Sequence, residues 1–479
     1  MALSVSALRR PRLLALAAAC TVVATVCGVA TAPGSVAAAP VGTPGAPGAG
    51  DTYFPDLGNG GYDALHYDLG VSYHPSSGRL DGRTTLTARA TQNLSAFDLD
   101  LQKLDVTAVR VDGRPARFTR AGDELTVRPA RMLRDGRTFT VTVTYGGVPQ
   151  PLGGPIIFGS DYGWMKTKDG VFVACEPNAA STWFPSSDHP GDKATYDIRI
   201  DAPKGLTGVS NGRLIESGER GGRSYAHWRE SRPMATYLAT ATIGKFDVRT
   251  GTTPGGTPIY VATDPTLPTG KVDVYGVTAE ATDYWSKVFG PYPFEETGAI
   301  VDDMPQAGFS LEVQSKPAYS AVRNESTIVH ELAHQWFGDS VSVKDWRHIW
   351  LNEGFASYAQ WLWAEHKGTK SAHDAFREAY AAIPAGDPFW KIKVADPQRD
   401  TMFSDAVYDR GAMTLQALRE RIGDRAFFTL LPAWTAAHRY GNAETSQFIA
   451  LAEKISGRRL GDLFDAWLNT GARPPLPKP

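Results

Sequence analysis

Cysteine is nearly absent from this chain, with 3 among 479 residues, and two of these, Cys20 and Cys27, fall in an apolar stretch near the start. If that stretch is removed, only Cys175 remains, and one cysteine cannot form an intramolecular disulfide. The mature chain must therefore be stable without covalent cross-links. Its length is sufficient for two or three domains that each bury a core of their own.

A strong charge of one sign and long apolar runs are also lacking. The chain has 49 basic and 51 acidic residues, which provides no electrostatic basis for binding nucleic acid or an anionic membrane. After the first forty residues, no apolar run approaches the roughly 20 residues that span a bilayer. We therefore expect no nucleic-acid partner, and no membrane partner for the mature form.

Residues 1–39 have the order of features that is typical of a secretory signal peptide. Three arginines between positions 9 and 12 form a basic start, residues 13–29 are apolar, and residues 37–39 offer a cleavage site of small residues. Residues 30–32 form an equally suitable site. Cleavage at either site predicts a secreted, extracellular protein.

The next part of the chain predicts a flexible leader and then a β domain. Residues 40–60 are rich in Pro, Gly and Ala, which is typical of a flexible segment. Residues 61–248 contain short runs of alternating apolar and polar residues, punctuated by Gly, Pro and Asp-Gly turns. Examples are 83–90, 106–111 and 138–145. This pattern predicts an antiparallel β saddle or sandwich.

Residues 249–470 change to helical spacing of apolar residues, and residues 471–479 form a Pro-rich tail. Strands are still predicted at 258–262 and 298–301. The fold class is therefore α+β, with an N-terminal β domain followed by a mostly helical domain. The predicted helices are 272–289, 325–337, 350–366, 373–382, 405–422 and 445–455.

Two histidines four residues apart are the strongest chemical signal in the chain. On a helix, His330 and His334 are separated by about 400° of rotation, so both imidazoles leave the same face one turn apart. A catalytic zinc ion takes three protein ligands and keeps one position for water. Glu353, which follows after 18 intervening residues, is the candidate for the third ligand. Glu331 follows the first histidine directly and could reach the water as a general base.

A bare His-Glu-x-x-His pattern also occurs by chance, on amphipathic helices whose histidines are solvated or cap the helix. Two features favour the metal interpretation here. The motif lies in an apolar helical frame that includes Leu332 and Trp336, and an Asn-Glu-Gly segment follows it at 352–354. We therefore predict that His330, His334 and Glu353 bind one zinc ion per chain.

Several further segments make the chain similar to the aminopeptidase N family of zinc peptidases, the gluzincins, which also include the leukotriene hydrolase. The resemblance extends from about residue 62 to residue 468. It implies a saddle-like β domain packed on a thermolysin-like catalytic domain. Beyond the zinc segment it is carried by Cys175-Glu176-Pro177, Trp183-Phe184-Pro185, Asp188-His189-Pro190, Lys193-Ala194-Thr195-Tyr196, residues 237–246 and Val407-Tyr408-Asp409-Arg410-Gly411-Ala412.

The resemblance also implies roles for residues that spacing alone could not assign. The family has a Gly-Ala-Met-Glu-Asn strand whose carboxylate binds the substrate's free α-ammonium group; the matching residues 308–313 keep the glutamate, Glu312, and lack the Met and Asn. Glu176 stands where the family uses a second Glu or Gln for the same group. Tyr408 matches the tyrosine whose hydroxyl donates to the tetrahedral oxyanion, and Arg410 replaces the usual lysine and keeps its charge.

These inferences predict a secreted zinc aminopeptidase that cleaves the first peptide bond of peptides with a free amino terminus. Water on zinc, deprotonated with help from Glu331, would attack the carbonyl that zinc and Tyr408 polarise. Many relatives continue into a helical domain that covers the active site, and this chain resembles a short form without it. We therefore expect a more open cleft.

Three alternatives remain open. The first is an endopeptidase on the same metal site, which is favoured if Glu312 and Glu176 do not converge. The second is a relative that hydrolyses an epoxide, for which the sequence holds no particular sign. The third is a non-catalytic, zinc-stabilised binding protein, and the presence of Glu331 beside the ligands argues against it, because a structural site needs no base.

Overall fold

Sixteen strands build the first half of the described chain into three sheets. The computed structural model describes residues 41–157, 159–268 and 272–477, so the predicted signal peptide lies outside the described residues. The strands of this half are β1 Thr43–Pro44, β2 Tyr62–His74, β3 Arg79–Ala90, β4 Leu94–Asp100, β5 Asp105–Val111, β6 Arg114–Pro115, β7 Arg117–Ala121, β8 Glu124–Arg128, β9 Thr138–Gly147, β10 Gly163–Lys166, β11 Val171–Ala174, β12 Ala194–Pro203, β13 Thr207–Ser210, β14 Arg213–Arg220, β15 Arg223–Met234 and β16 Ala241–Gly244.

The largest sheet has eight strands in the order β14-β15-β12-β2-β3-β9-β5-β6. Its neighbours pair antiparallel, as predicted, except that β2 and β12 run parallel, with Leu69 beside Ile198. More than a hundred residues separate these two strands, and a parallel pair needs such a long crossover connection. The sheet is therefore mixed. The two four-stranded sheets have the orders β1-β4-β8-β7 and β10-β11-β16-β13.

Alternation along the strands directs one face of the eight-stranded sheet into the core. In β2, Tyr67, Leu69 and Val71 are buried, while the residues between them are partly exposed. Tyr67 stacks on Tyr196 of β12 with 5.1 Å between ring centroids. The period-2 pattern in the sequence thus corresponds to burial on one face, because successive strand side chains point to opposite sides.

The second half of the described chain is mostly helical. Its helices are α1 Val274–Val288, α2 Glu325–Ala333, α3 Trp350–His366, α4 Ala372–Ala382, α5 Gly411–Ile422, α6 Asp424–Ala437, α7 Thr445–Ser456 and α8 Gly461–Phe464. Its strands are β17 Asp247–Thr252, β18 Pro258–Thr263, β19 Thr297–Val301, β20 Ser310–Leu311, β21 Ala318–Tyr319, β22 Ser342–Val343 and β23 Asn442–Ala443. Five of these strands form a sheet in the order β17-β18-β19-β21-β20. Among the described helices, none has the length and apolarity of a transmembrane segment.

Helix α3 lies at the centre of this half, and 12 of its 17 residues are buried. It packs against α2 on one side and α5 on the other. At the contact with α5, a Cβ on Gly354 would lie 2.9 Å from the Cα of Gly411. Only a pair of glycines permits this approach, since real Cβ contacts are longer. The two helices therefore meet backbone to backbone.

Helix α6 is not among the helices predicted from the sequence, and Pro432 lies inside it. An interior proline removes a backbone N–H and costs about 3 kcal/mol or more. Phe427, Leu431 and Trp434 are nevertheless buried at helical spacing, and their packing offsets that cost. Tertiary burial thus overrides the local signal.

Residues 41–60 differ from the predicted flexible leader, because they pack against both halves of the chain. The buried carboxylate of Asp51 accepts hydrogen bonds from the Tyr53 N–H, at 2.7 Å, and from the Trp346 N–H, at 2.9 Å. It also pairs with His189, at 3.3 Å. High Pro and Gly content indicates little regular structure, but it does not exclude tertiary hydrogen bonds of this kind. The Pro-rich end is likewise held, since the Tyr380 hydroxyl donates to the Pro474 carbonyl at 2.6 Å.

We predict that Asp51→Ala lowers the free energy of unfolding at neutral pH by about 3 to 5 kcal/mol, because it leaves His189 and three buried N–H groups without their partner. Burial raises the pKa of Asp51, but the hydrogen bonds from His189, Trp346 and Tyr53 outweigh burial and lower the pKa. A lowered folded pKa means that the stabilisation is fully present above the unfolded pKa, about 3.9, and is lost progressively as the pH falls from that value through the lower folded pKa.

Urea unfolding at pH 7 and at pH 3.5 measures both effects. The matched control is Asp63→Ala. The Asp63 side chain is 39% exposed and pairs with Arg89, so its removal should cost no more than about 1 kcal/mol. Equal stabilities for the two variants at pH 7 would contradict the role of Asp51.

Candidate active site

Helix α2 carries the first ligands and begins at a clear cap. The Asn324 side chain accepts a hydrogen bond from the Thr327 N–H at 2.8 Å, which satisfies one of the orphan donors of the first turn. Ile328, Val329 and Leu332 are buried on its inner face. The helix ends at Ala333, four residues earlier than predicted, and the chain continues in tight turns.

The early end of α2 orients the ring of His334. Its Nδ1 lies 2.9 Å from the carbonyl oxygen of Phe337, so Nδ1–H donates there and Nε2 keeps its lone pair for a metal. Gly338 has φ of +131°, and a Cβ at that position would lie 3.3 Å from the same Nδ1. A glycine is therefore required where the turn passes the imidazole.

Helix α3 supplies the third ligand, and the three predicted ligands converge. His330 Nε2 lies 3.2 Å from His334 Nε2, and the Glu353 Oε2 lies 3.3 Å and 3.4 Å from these two nitrogens. For tetrahedral zinc with bonds of about 2.0–2.1 Å, two ligand atoms are about 3.3–3.4 Å apart. The three atoms thus form one face of a tetrahedron of the right size, and the residues fit zinc.

The base predicted from the sequence, Glu331, lies beside this triad. Its carboxylate, that of Glu312 and a ring nitrogen of His334 are within 4.8 Å of one another. Burial raises the pKa of Glu331 to about 7, with the two histidines lowering it and Glu312 and Glu353 raising it. Burial also opposes ionisation of Glu353, but His334 and His330 lower its pKa to about 2. The ligand is thus ionised, while Glu331 can exchange a proton near neutral pH.

The two glutamates assigned from the resemblance also converge on the site. The carboxylates of Glu176, Glu312 and Glu353 lie within 4.8 Å of one another. Glu312 follows β20 directly, and Glu176 follows β11 of the first half. Both side chains are buried, and one oxygen of each has no hydrogen-bond partner among the described residues. Burial raises the pKa of both carboxyl groups, and the neighbouring glutamates raise it further. A cation would relieve this crowding.

Tyr408 lies above His330, with nearly parallel rings whose centroids are 6.1 Å apart. It is carried by a π-helical turn, Ala406–Arg410, that precedes α5, where one continuous helix was predicted. Such turns frequently occur at functional sites. Burial and the surrounding carboxylates raise the pKa of Tyr408 well above 10, so its hydroxyl remains a hydrogen-bond donor.

Arg410 keeps the charge of the family's lysine but directs it away from the metal ligands. Its guanidinium is fully buried and donates to the carbonyls of Trp390 and Thr470, among others. Arg410, the last residue of the turn that carries Tyr408, is thus hydrogen-bonded to the C-terminal segment at Thr470.

Sequence reasoning did not identify the groups that orient the site. The partner of His334 is a backbone carbonyl, which no side-chain pattern reveals. Lys193 donates to the carbonyls of Asp339 and Ser340, at 2.7 and 3.1 Å, directly after the ligand-bearing turn. The family resemblance included Lys193 but implied no role for it. Gly354 and Gly411 lie in two separate sequence motifs, 352–354 and 407–412, and nothing in the sequence indicates that these glycines are in contact.

Comparison with known families agrees with both halves of the fold. Residues 305–467 match the peptidase family M1 domain, and residues 63–238 match the peptidase M1 N-terminal domain. Among curated proteins, the chain is 29% identical over 328 residues to aminopeptidase M1 of Arabidopsis thaliana, covering 63% of this chain and 37% of that protein. It is 25% identical over 406 residues to the probable aminopeptidase 2 of Sulfurisphaera tokodaii, covering 78% and 50%. The chain thus spans at most about half the length of these two curated relatives.

A solved structure matches nearly end to end. The M1 zinc metallopeptidase from Deinococcus radiodurans superposes with a TM-score of 0.84 at 30% identity, covering 90% of this chain and 99% of that one. A glutamate-to-alanine mutant of the same protein, solved with a bound Tyr-Ser-Ala substrate, gives the same TM-score and identity. The similarity therefore includes both the β half and the helical half.

We predict that Glu353→Gln weakens zinc binding by more than about a hundredfold, because it replaces an anionic ligand, whereas changes to groups outside the ligand set typically cost about 10- to 100-fold. Metal analysis after dialysis against a zinc buffer measures this loss. Glu365→Gln is the matched control in the same helix, since Glu365 pairs with Arg419 instead. Equal zinc content in both variants would rule out Glu353 as a ligand.

Proposed function

Because the chain belongs to the M1 family of peptidases, we propose that it is a zinc-dependent aminopeptidase that hydrolyses the first peptide bond of peptides with a free amino terminus. One zinc ion per chain would be held by His330, His334 and Glu353. The names of the curated relatives and the tripeptide bound to the Deinococcus mutant support peptides as the substrate class.

The observation that carries the proposal is the pair of buried carboxylates beside the metal ligands, Glu176 and Glu312, each of which has one oxygen without a hydrogen-bond partner among the described residues. A bound zinc ion carries two positive charges, and Glu353 neutralises one of them. When Glu176, Glu312 and Glu331 are ionised they add three negative charges, so the buried site keeps an excess of negative charge even with zinc bound. A substrate's α-ammonium group would supply one positive charge towards this excess and would position the first peptide bond at the metal. A blocked amino terminus would leave those carboxylates unpaired, which is costly in a buried site.

Two side chains, Glu331 and Tyr408, would act together with the metal in the reaction. When bound, zinc acts as a Lewis acid that polarises the substrate carbonyl and makes water more acidic. Glu331 accepts the proton of the attacking water and returns it to the leaving amine. The Tyr408 hydroxyl donates a hydrogen bond to the oxygen on which negative charge develops, a contribution of roughly 2.7 to 4 kcal/mol in a preorganised site.

The test is hydrolysis of one short peptide in two forms, free and acetylated at its amino end, with and without a zinc chelator. We expect kcat/KM to be at least about a hundredfold higher for the free form, and we expect the chelator to abolish cleavage. Equal cleavage of both forms would keep the zinc chemistry and favour an endopeptidase. Absence of cleavage across a panel of such pairs would favour the binding protein.

Glu331→Gln serves as the internal control of this assay. It should keep its zinc but lower kcat by about 10² to 10⁴, the usual contribution of a general base. A zinc-loaded Glu331→Gln protein with wild-type kcat would overturn the assigned role.

We also propose export, because residues 1–39 combine a basic start, an apolar stretch and small-residue cleavage sites. Mass spectrometry of the protein from culture medium should then find an N-terminus between residues 30 and 41. An intact Met1 on protein confined to the cell fraction would contradict export.

A further inference from the structure

Gln335 follows the ligand His334 directly, but its side chain serves a different segment. It is fully buried. Its carboxamide Nε2 donates to the carbonyl oxygen of Glu312 at 3.1 Å, and its Oε1 accepts from the Ser315 N–H at 2.7 Å. One side chain thus bridges both ends of residues 312–315. Only a neutral carboxamide offers a donor and an acceptor in this arrangement; a carboxylate lacks the donor, and a thioether provides neither group with useful strength.

Residues 312–315, which Gln335 bridges, have a backbone conformation that requires stabilising contacts. Ser315 has φ of +70°, a left-handed conformation that non-glycine residues seldom adopt. Its hydroxyl accepts from the Gly212 N–H at 2.7 Å, so the first half of the chain holds the segment from the other side. The Lys316 N–H closes the turn on the Val313 carbonyl at 3.0 Å. The backbone after Glu312 is therefore held in one conformation by contacts from two directions.

The side chain of Glu312 depends on this backbone. Its carboxylate lies within 4.8 Å of those of Glu176 and Glu353, and its Oε1 has no hydrogen-bond partner among the described residues. Repulsion from the two like charges favours its displacement, and no described side chain holds that oxygen in place. Until a substrate binds, its direction is thus set by the position of its own backbone, which Gln335 contacts directly.

We propose that Gln335 is a positioning residue for recognition of the substrate's amino group: through the Glu312 carbonyl and the Ser315 N–H, it holds Glu312 where its carboxylate meets the α-ammonium. This inference rests on the proposed aminopeptidase function and deepens it. It assigns to a residue beside the metal ligands a role in choosing substrates, separate from metal binding.

Gln335→Met removes both hydrogen bonds with little change in volume, and Gln335→Glu removes only the donor to Glu312. We expect KM for the free peptide to rise about tenfold to a hundredfold in either variant, because small misplacement of a binding group has effects of that size, while kcat changes little. Cleavage of the acetylated peptide should be unchanged, so the preference for the free form falls by the same factor. Zinc content should equal that of the wild type.

A binding measurement provides a readout that is independent of turnover. Calorimetric titration of zinc-loaded protein with L-arginine should give a Kd weakened by a similar factor in both variants. The matched control is Gln416→Met in α5, where the buried glutamine accepts from the Tyr358 hydroxyl at 2.8 Å, away from the metal ligands. This control should keep the wild-type preference and Kd even if its stability falls.

The outcomes separate the two ideas. If the wild type cleaves both peptides equally, the proposed function fails and this inference fails with it. If the wild type prefers the free peptide and both zinc-loaded Gln335 variants prefer it as strongly, the inference alone is overturned. Loss of zinc, or an equal fall of kcat on both peptides, in both variants would also overturn it, since Gln335 would then support the fold in general.

Discussion

The requirement that three ligand atoms form a triangle with sides of 3.2 to 3.4 Å constrains much of the catalytic half. Helix periodicity alone brings His330 and His334 together, but Glu353 reaches them only if α3 crosses α2 closely. The contact between Gly354 and Gly411 also brings the backbone of α5 against that of α3. The turn bearing Tyr408 is joined to α5, so the same packing sets the distance between that hydroxyl and the metal ligands.

Charge is the second constraint. Four glutamates, Glu176, Glu312, Glu331 and Glu353, are buried in one small region. Unpaired buried carboxylates are costly, and such groups normally become neutral or bind a cation. A divalent metal ion and a substrate ammonium group together supply three positive charges against these four carboxylates. The crowding that would destabilise an empty site therefore matches the sign of the charges on the ligands that the proposed function requires.

The β half contributes directly to this site. It provides Glu176, and it holds the turn after Glu312 through the Gly212 N–H. Lys193 binds the carbonyls that follow the ligand-bearing turn. Burial lowers the pKa of this lysine to about 7, and its ammonium group acts here as a hydrogen-bond donor to backbone carbonyls. The segment around Asp51 joins the two halves at a further point. The proposed substrate recognition thus depends on packing between the halves as well as on the zinc-binding helices.

The sequence by itself identified the candidate zinc ligands and the proposed base beside them, because the i to i+4 spacing of the two histidines is a local property of a helix and Glu331 and Glu353 lie in short motifs. It also predicted the order of β and helical halves, because burial on one face leaves a period in the chain. Tertiary structure alone decided the features that join distant residues. These are the helix around Pro432, the early end of α2 at the Phe337 carbonyl, the packing of residues 41–60 through Asp51, and the meeting of Glu176 with Glu312. No local pattern encodes these contacts, since each depends on where another segment of the folded chain lies.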